Sequence, residues 1–170
     1  MKNDKVFILV YCGLFTALVV IATAFLKVPT AIGYVNLGDG VIFVSAAVLG
    51  HYAAIIGGVG SAIADIMAGY SIYAPATLII KALMGLISAK MISTQGKINI
   101  KNILVYVIAE LVMVGGYFIF ESFLYGLPAA TGSMVPNLIQ GCFGVIVAVV
   151  LIPITVRIFN RNKQIKSANH

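Results

Sequence analysis

Residues 6–26 run for 21 positions without one charged side chain. Four apolar runs stand out, at 6–26, 74–92, 103–124 and 135–156. A helix that crosses the hydrocarbon core of a bilayer needs about 20 apolar residues. The rest of the chain agrees: of 170 residues, 61% are hydrophobic and 9% charged, where a soluble domain carries about 25% charge. The mean hydropathy is +1.08. A soluble enzyme, a coiled coil and a disordered chain are excluded, because none could cover so much apolar surface. Six spanning helices would use roughly 120 residues and leave the remainder for caps, loops and tails.

The stretch 40–71 is ambiguous, since it holds Gly50-His51 near its middle and could form one span or two. Charge parity decides. Cytoplasmic loops carry excess Lys and Arg, and three places are basic: Lys2 with Lys5, a connector with Lys90, Lys97 and Lys101, and a tail with Arg157, Arg161, Lys163 and Lys166. All three are expected inside, so an even number of spans separates them. The ambiguous stretch must then be two helices turning near Gly50-His51.

The expected fold is all-α, a polytopic membrane protein with both termini cytoplasmic. Residues 1–170 form one domain of six transmembrane helices at about 6–26, 39–50, 52–70, 74–92, 103–124 and 135–156. Lys2 and Lys5 ahead of an apolar stretch, with Ala22-Thr23-Ala24 behind, resemble a signal peptide. The run exceeds the ~7–15 residues of a signal h-region, so it reads as a retained span. The second span is too short to cross alone, and must tilt little, continue past His51 or be shielded by neighbours. The third carries Gly57, Gly58, Gly60, Ala62 and Ala64, which let membrane helices approach closely. It is expected to sit centrally. Outer loops are expected around Lys27-Val28-Pro29, at 69–71 and at 126–136, the last with two prolines.

The basic residues flank apolar runs instead of forming a stripe on a polar domain, which argues against nucleic acid as a partner. Cys12 and Cys142 lie within apolar runs and read as buried free thiols. No metal spacing, phosphate-binding loop or catalytic motif occurs. The chain is expected to be no enzyme, to need no cofactor and to be unable to hydrolyse ATP.

Ionisable groups inside a membrane are costly and mark function. Asp39, Asp65, Lys81, Glu121, Asn137 and Gln140 fall in the outer halves of their spans under this topology; Glu110 alone falls in the inner half. Lys81 is seven residues below Ala74, about 10 Å at 1.5 Å per residue. A proton path across the membrane would populate both halves, so the pattern suggests a pocket open to the outside. Tyr73, Thr77 and Lys81 recur at i, i+4, i+8 on one helix face. Tyr117, Glu121 and Tyr125 do so on the next helix, and Asn137 and Gln140 open the last. Together they offer an ammonium, a carboxylate, two amides, a hydroxyl and aromatic faces, a set suited to a small polar ring.

Structural readings stand beside these. Lys81 with Glu121 could be only a buried ion pair. Asp39 reads as a helix N-cap, and Asp65 as a cap or bridge at the glycine-rich contact. Glu110 reads as bonding a neighbouring helix or a partner, Tyr34 and Tyr70 as interface anchors, and His51 as solvated at the inner turn. Gly13 and Ala17 form a small-xxx-small pair on the first span. It either packs within the bundle or docks another membrane subunit.

Four segments carry a family resemblance: 33–39 (Gly-Tyr-Val-Asn-Leu-Gly-Asp), 60–70 (Gly-Ser-Ala-Ile-Ala-Asp-Ile-Met-Ala-Gly-Tyr), 73–77 leading to 81–85, and 136–141 (Pro-Asn-Leu-Ile-Gln-Gly). They resemble the substrate-binding S components of energy-coupling factor transporters, over nearly the whole chain. The resemblance implies a multi-pass protein of a prokaryotic cytoplasmic membrane that captures a vitamin-like molecule outside the cell. It implies as partners a membrane T component and two cytoplasmic ATPase subunits. The family's first helix meets the T component through an alanine-xxx-alanine motif; here Gly13 and Ala17 hold those positions. The family's pocket faces outward, and Asn36 from the first segment joins the expected binding set of Tyr73, Thr77, Lys81, Tyr117, Glu121, Tyr125, Asn137 and Gln140. The pattern looks closest to the hydroxymethylpyrimidine, pyridoxine and riboflavin-type subgroup. The competing expectation is a stand-alone secondary carrier that moves protons or ions through Lys81, Glu110 and Glu121.

Overall fold

A computed structural model describes the backbone of residues 2–91 and 98–168, and side chains at 5–90 and 98–161. Lys97, and the side chains of Lys2, Lys163 and Lys166, which contribute to the charge-parity reading, lie outside the described residues. Six α-helices occur among them: α1 Lys2–Ala24, α2 Gly38–Leu49, α3 Ala53–Met67, α4 Ala74–Met91, α5 Ile100–Tyr125 and α6 Leu127–Ala168. Four stretches are long and apolar enough to cross a membrane: Lys5–Ala24, Gly38–Met67, Ile100–Tyr125 and Leu127–Arg161. Leu9, Val10, Leu14, Leu111, Phe123 and Ile146 are among many large apolar side chains left exposed on the outer faces. Such a surface fits a lipid surrounding.

The ambiguous stretch resolves into two helices. Gly50, at φ +60, stops α2, a one-turn 3-10 segment Gly50–Tyr52 follows, and α3 begins. Asp39 at the start of α2 and Asp65 near the end of α3 both belong to one cluster of side chains, described below, so the two helices run back to back. His51 at the turn is exposed. Twelve residues of α2 rise only about 18 Å, yet all but Val41 and Val48 are buried. The short helix is shielded by α1, α4 and α6, which pack around it.

α3 is wedged between α1 and α4, as its glycines suggest. A Cβ on Gly58 would lie 2.7 Å from the Leu78 carbonyl oxygen, and one on Gly60 3.1 Å from that of Thr16. On α4, Gly85 presses against the Ala53 backbone. The inner core is apolar, with Phe43, Ile56, Met84, Tyr106 and Met113 fully buried.

Several expectations are corrected. The segment 126–136 is helical, not a loop: only Gly126, at φ +85, separates α5 from α6. Pro128 sits in the first turn of α6, where its missing N–H costs nothing. Pro136 and Pro153 lie inside the helix, as membrane helices tolerate. The first outer loop is a two-stranded antiparallel hairpin, β1 Lys27–Pro29 with β2 Tyr34–Asn36. Asp39 is not an N-cap: Leu37 holds that position without a side-chain bond. Cys142 is exposed on the outer face instead of buried.

Candidate functional site: a polar cavity under a hairpin

Side chains from α1, α3, α4, α5, α6 and the hairpin meet around one cavity of about 40 Å³. The inner volume suits a few waters, at roughly 10–15 Å³ each.

Its floor is a chain of charge-assisted hydrogen bonds. The Lys81 ammonium donates to Asp39 Oδ1, and both side chains are buried. Gln140 Nε2 donates to Asp39 Oδ2 at 2.6 Å. Gln140 Oε1 accepts from the Asn36 backbone N–H and from its Nδ2, both at 3.0 Å. Asn36 Oδ1 in turn accepts from Gly38 N at 2.9 Å. Four elements far apart in sequence are thereby tied: β2, α2, α4 and α6. The pairing of Lys81 with Glu121 weighed from sequence does not form. Lys81 takes Asp39 instead and lies 5.6 Å from the Tyr117 ring centroid.

Glu121 belongs to a second group. Its Oε2 accepts from the Ser133 hydroxyl. The Tyr73 hydroxyl stands 3.2 Å from Glu121 Oε1 and 3.0 Å from the Ile32 carbonyl oxygen, and donates to one at a time. Ser133 is available only because the expected loop is helical. Thr77 and Tyr117 share a hydroxyl–hydroxyl bond of 2.9 Å.

The mouth is aromatic. Tyr34 and Tyr70 pack with tilted rings, their centroids 5.0 Å apart, and the Lys27 ammonium lies over both, at 5.1 and 5.9 Å. Tyr34 donates to Asp65 Oδ1 at 2.5 Å. Burial pushes the Tyr34 phenol far above the ordinary tyrosine range, and the charge of the Asp65 carboxylate adds to the shift. These two tyrosines, read as interface anchors, line the cavity instead.

Of the nine residues expected to bind substrate, Asn36, Tyr73, Thr77, Lys81, Tyr117, Glu121, Asn137 and Gln140 line this cavity. Tyr125 does not: it is 46% exposed, with its ring 6.4 Å from that of Tyr73 on the outer side. Each i+4 step advances about 40° around a helix, so by the second step Tyr125 has turned away from Tyr117. Sequence reasoning missed Thr23, Ser61 and the hairpin, and read Asp65, counted among the outer-half groups, as a cap or bridge. Ser61 and Asp65 are four apart on α3, a spacing that would have revealed a fourth stripe.

Glu110 is 5% exposed, and neither of its carboxyl oxygens has a partner among the described residues. It packs on Gly141 and Gly144, and Gly144 also abuts Asp39. It therefore lies beside the floor of the cavity. Gly13 and Ala17 are exposed on the outward face of α1, and a Cβ on Gly13 would meet nothing. They do not pack within this bundle. An apolar groove of about 510 Å³ runs beside them, lined by Lys5, Leu9, Cys12, Thr16, Tyr52 and Ile55 among others.

Comparison with known proteins yields three matches. The family model described as ECF-type riboflavin transporter, S component, matches residues 3–157. An uncharacterized protein in gap 3'region of Pyrococcus woesei is 35% identical over 124 residues, which cover 72% of this chain and 82% of that one. The thiamine precursor transporter HmpT of Lactococcus lactis subsp. cremoris (strain MG1363) is 34% identical over 105 residues. That match covers 62% of this chain and 58% of HmpT.

Proposed function

This chain belongs to the ECF-type riboflavin transporter S component family, and we propose that it captures a small, vitamin-like ring compound at the outer membrane surface for ATP-driven uptake. The observation that carries the reading is the convergence of polar and aromatic side chains from five helices and a hairpin on one cavity. Such a convergence inside an apolar bundle is costly unless a ligand uses it. The bound compound is a pyrimidine or pyridine in preference to a flavin. The cavity is small, about 40 Å³, and the name of HmpT speaks for a thiamine precursor.

In this reading the chain crosses the membrane six times, with the basic ends cytoplasmic and the hairpin outside. Tyr73 and Tyr117 offer faces for the ring, Thr77 and Asn137 offer hydrogen bonds, and Glu121 orients Tyr73. Lys81, Gln140 and Asn36 hold the floor rigid beneath the ring, with Asp39 as their hub. Gly13 and Ala17 form the docking face for a membrane T component, which connects the chain to two ATPase subunits. Their exposure and the adjacent groove support that role, because small residues let a second helix approach closely.

The experiment is ligand binding by the purified chain in nanodiscs, using hydroxymethylpyrimidine, pyridoxine and riboflavin in turn, with native mass spectrometry for any co-purifying molecule. Saturable binding of one of them is expected, and absence of all binding would remove the proposal. Uptake into proteoliposomes is expected only with the T component, both ATPases and ATP. A stand-alone carrier remains the second reading, favoured by the unpartnered Glu110 carboxyl. It requires gradient-dependent uptake by this chain alone, and loss of that uptake in Glu110→Gln.

A further inference from the structure

The cavity has two unlike walls. On α4, α5 and α6, Thr77, Lys81, Tyr117, Glu121 and Gln140, which line it, have found partners within the protein. On α1 and α3 they have not: Thr23 Oγ1, Ser61 Oγ and Asp65 Oδ2 are buried without a hydrogen-bond partner among the described residues. Their side chains are 3%, 1% and 5% exposed, and all three line the cavity. Buried polar groups in native proteins are overwhelmingly paired, so three orphans on one wall call for a cause.

The chemistry of the missing partner follows from these atoms. Asp65 already accepts from Tyr34 through Oδ1, and its Oδ2 is left without a partner and open to a donor. The two hydroxyls can each donate or accept. The Lys81 ammonium at the floor is already engaged with Asp39, so nothing here calls for an anionic ligand. The complement is a neutral edge that offers an N–H to Asp65 and an acceptor to a hydroxyl alongside. An exocyclic amine next to a ring nitrogen provides that edge, and leaves its second N–H for the other hydroxyl.

We propose that Thr23, Ser61 and Asp65 form the specificity wall of this site and select an amino-substituted nitrogen heteroaromatic ring, with Asp65 accepting from the amine. The proposal rests on the capture reading above and sharpens it. Aromatic faces grip any flat ring, whereas this wall distinguishes amine from oxygen.

The test compares 4-amino-5-hydroxymethyl-2-methylpyrimidine with its 4-oxo counterpart, in which oxygen replaces the amine and the adjacent ring nitrogen carries hydrogen. Affinities are measured by calorimetry on the full chain in nanodiscs, with riboflavin and pyridoxine as further probes. The wild-type chain is expected to prefer the amino ring by about a hundredfold, since a site built around a hydrogen bond strongly rejects the analogue that lacks it. Asp65→Asn is expected to reverse the order, because its amide can donate to the oxo group and still accept from Tyr34. Misfolding lowers both affinities and cannot invert them. Ser61→Ala and Thr23→Val are each expected to weaken the amino ring about three- to tenfold without lowering the unfolding temperature. Equal wild-type affinity for the two pyrimidines, or an Asp65→Asn variant that loses both in parallel, would overturn the proposal. Tight binding of riboflavin or pyridoxine alone would also overturn it while leaving capture intact. No binding of any ring would strike the capture reading itself.

Discussion

The α4–α5–α6 wall of the cavity and its α1–α3 wall are both polar, both buried and both set in apolar helices. They differ in where their hydrogen bonds end. On the first wall Lys81, Gln140, Glu121 and Thr77 end on other protein groups. On the second, Thr23, Ser61 and Asp65 keep unfilled positions. A satisfied network holds helices in register; an unsatisfied one waits for something else. Polarity alone therefore does not locate recognition inside a membrane protein. A buried charge can serve the scaffold, and the plainer hydroxyl beside it can meet the ligand.

The strongest way to break this contrast is to remove Lys81. Lys81→Met leaves Asp39 buried with only Gln140, and breaking a buried pair from one side costs about 3–5 kcal/mol. The expected result is a large fall in unfolding temperature or loss of a monodisperse preparation. The double variant Asp39→Asn/Lys81→Met is expected to recover much of that stability. If Lys81→Met unfolds like the wild type and loses only ligand, Lys81 belongs to the recognising wall instead.

The seam between the walls is the next target. A Cβ on Gly85 would clash with the Ala53 backbone, so Gly85→Ala must push α3 from α4. Overpacking of this kind costs about 1–3 kcal/mol. Because α3 carries Ser61 and Asp65, ring affinity is expected to fall along with thermal stability. A variant with lowered stability and unchanged affinity would show that the α1–α3 wall does not read the ring.

Glu121→Gln is a milder change. The amide can still accept from Tyr73 and can donate to the Ser133 hydroxyl, so a loss of about 1 kcal/mol is expected, the net value of an ordinary hydrogen bond. The smallest effect concerns the mouth. Tyr34 is held protonated above its ordinary pKa near 10. Its bond to Asp65 is therefore fully present below about pH 10 and is lost as pH rises through the elevated folded-state value. Tyr34→Phe is expected to lower stability modestly at neutral pH and to flatten the decline above pH ~10, read as unfolding temperature against pH. An unchanged alkaline profile would detach Tyr34 from Asp65.

Much of this was legible beforehand because it depends on local pattern. Runs of apolar residues mark membrane helices, and spacing put Tyr73, Thr77 and Lys81 on one face of α4 and Tyr117 with Glu121 on one face of α5. Gly50-His51 signalled the turn between α2 and α3, and the glycines of α3 signalled close packing. The helical form of 126–136 was hidden, because two prolines and a glycine read as a loop when one proline in fact opens a helix. That misreading also concealed Ser133 as the partner of Glu121.

Composition and helical period thus determined the solvent, the helices and the faces on which polar groups stand, since each depends on neighbours within one or two turns. Packing alone decided that Lys81 meets Asp39, 42 residues away, while Asp65 keeps a free oxygen. Which stripe faces which depends on how every helix is rotated about its axis, and that rotation is set by contacts between helices distant in the chain.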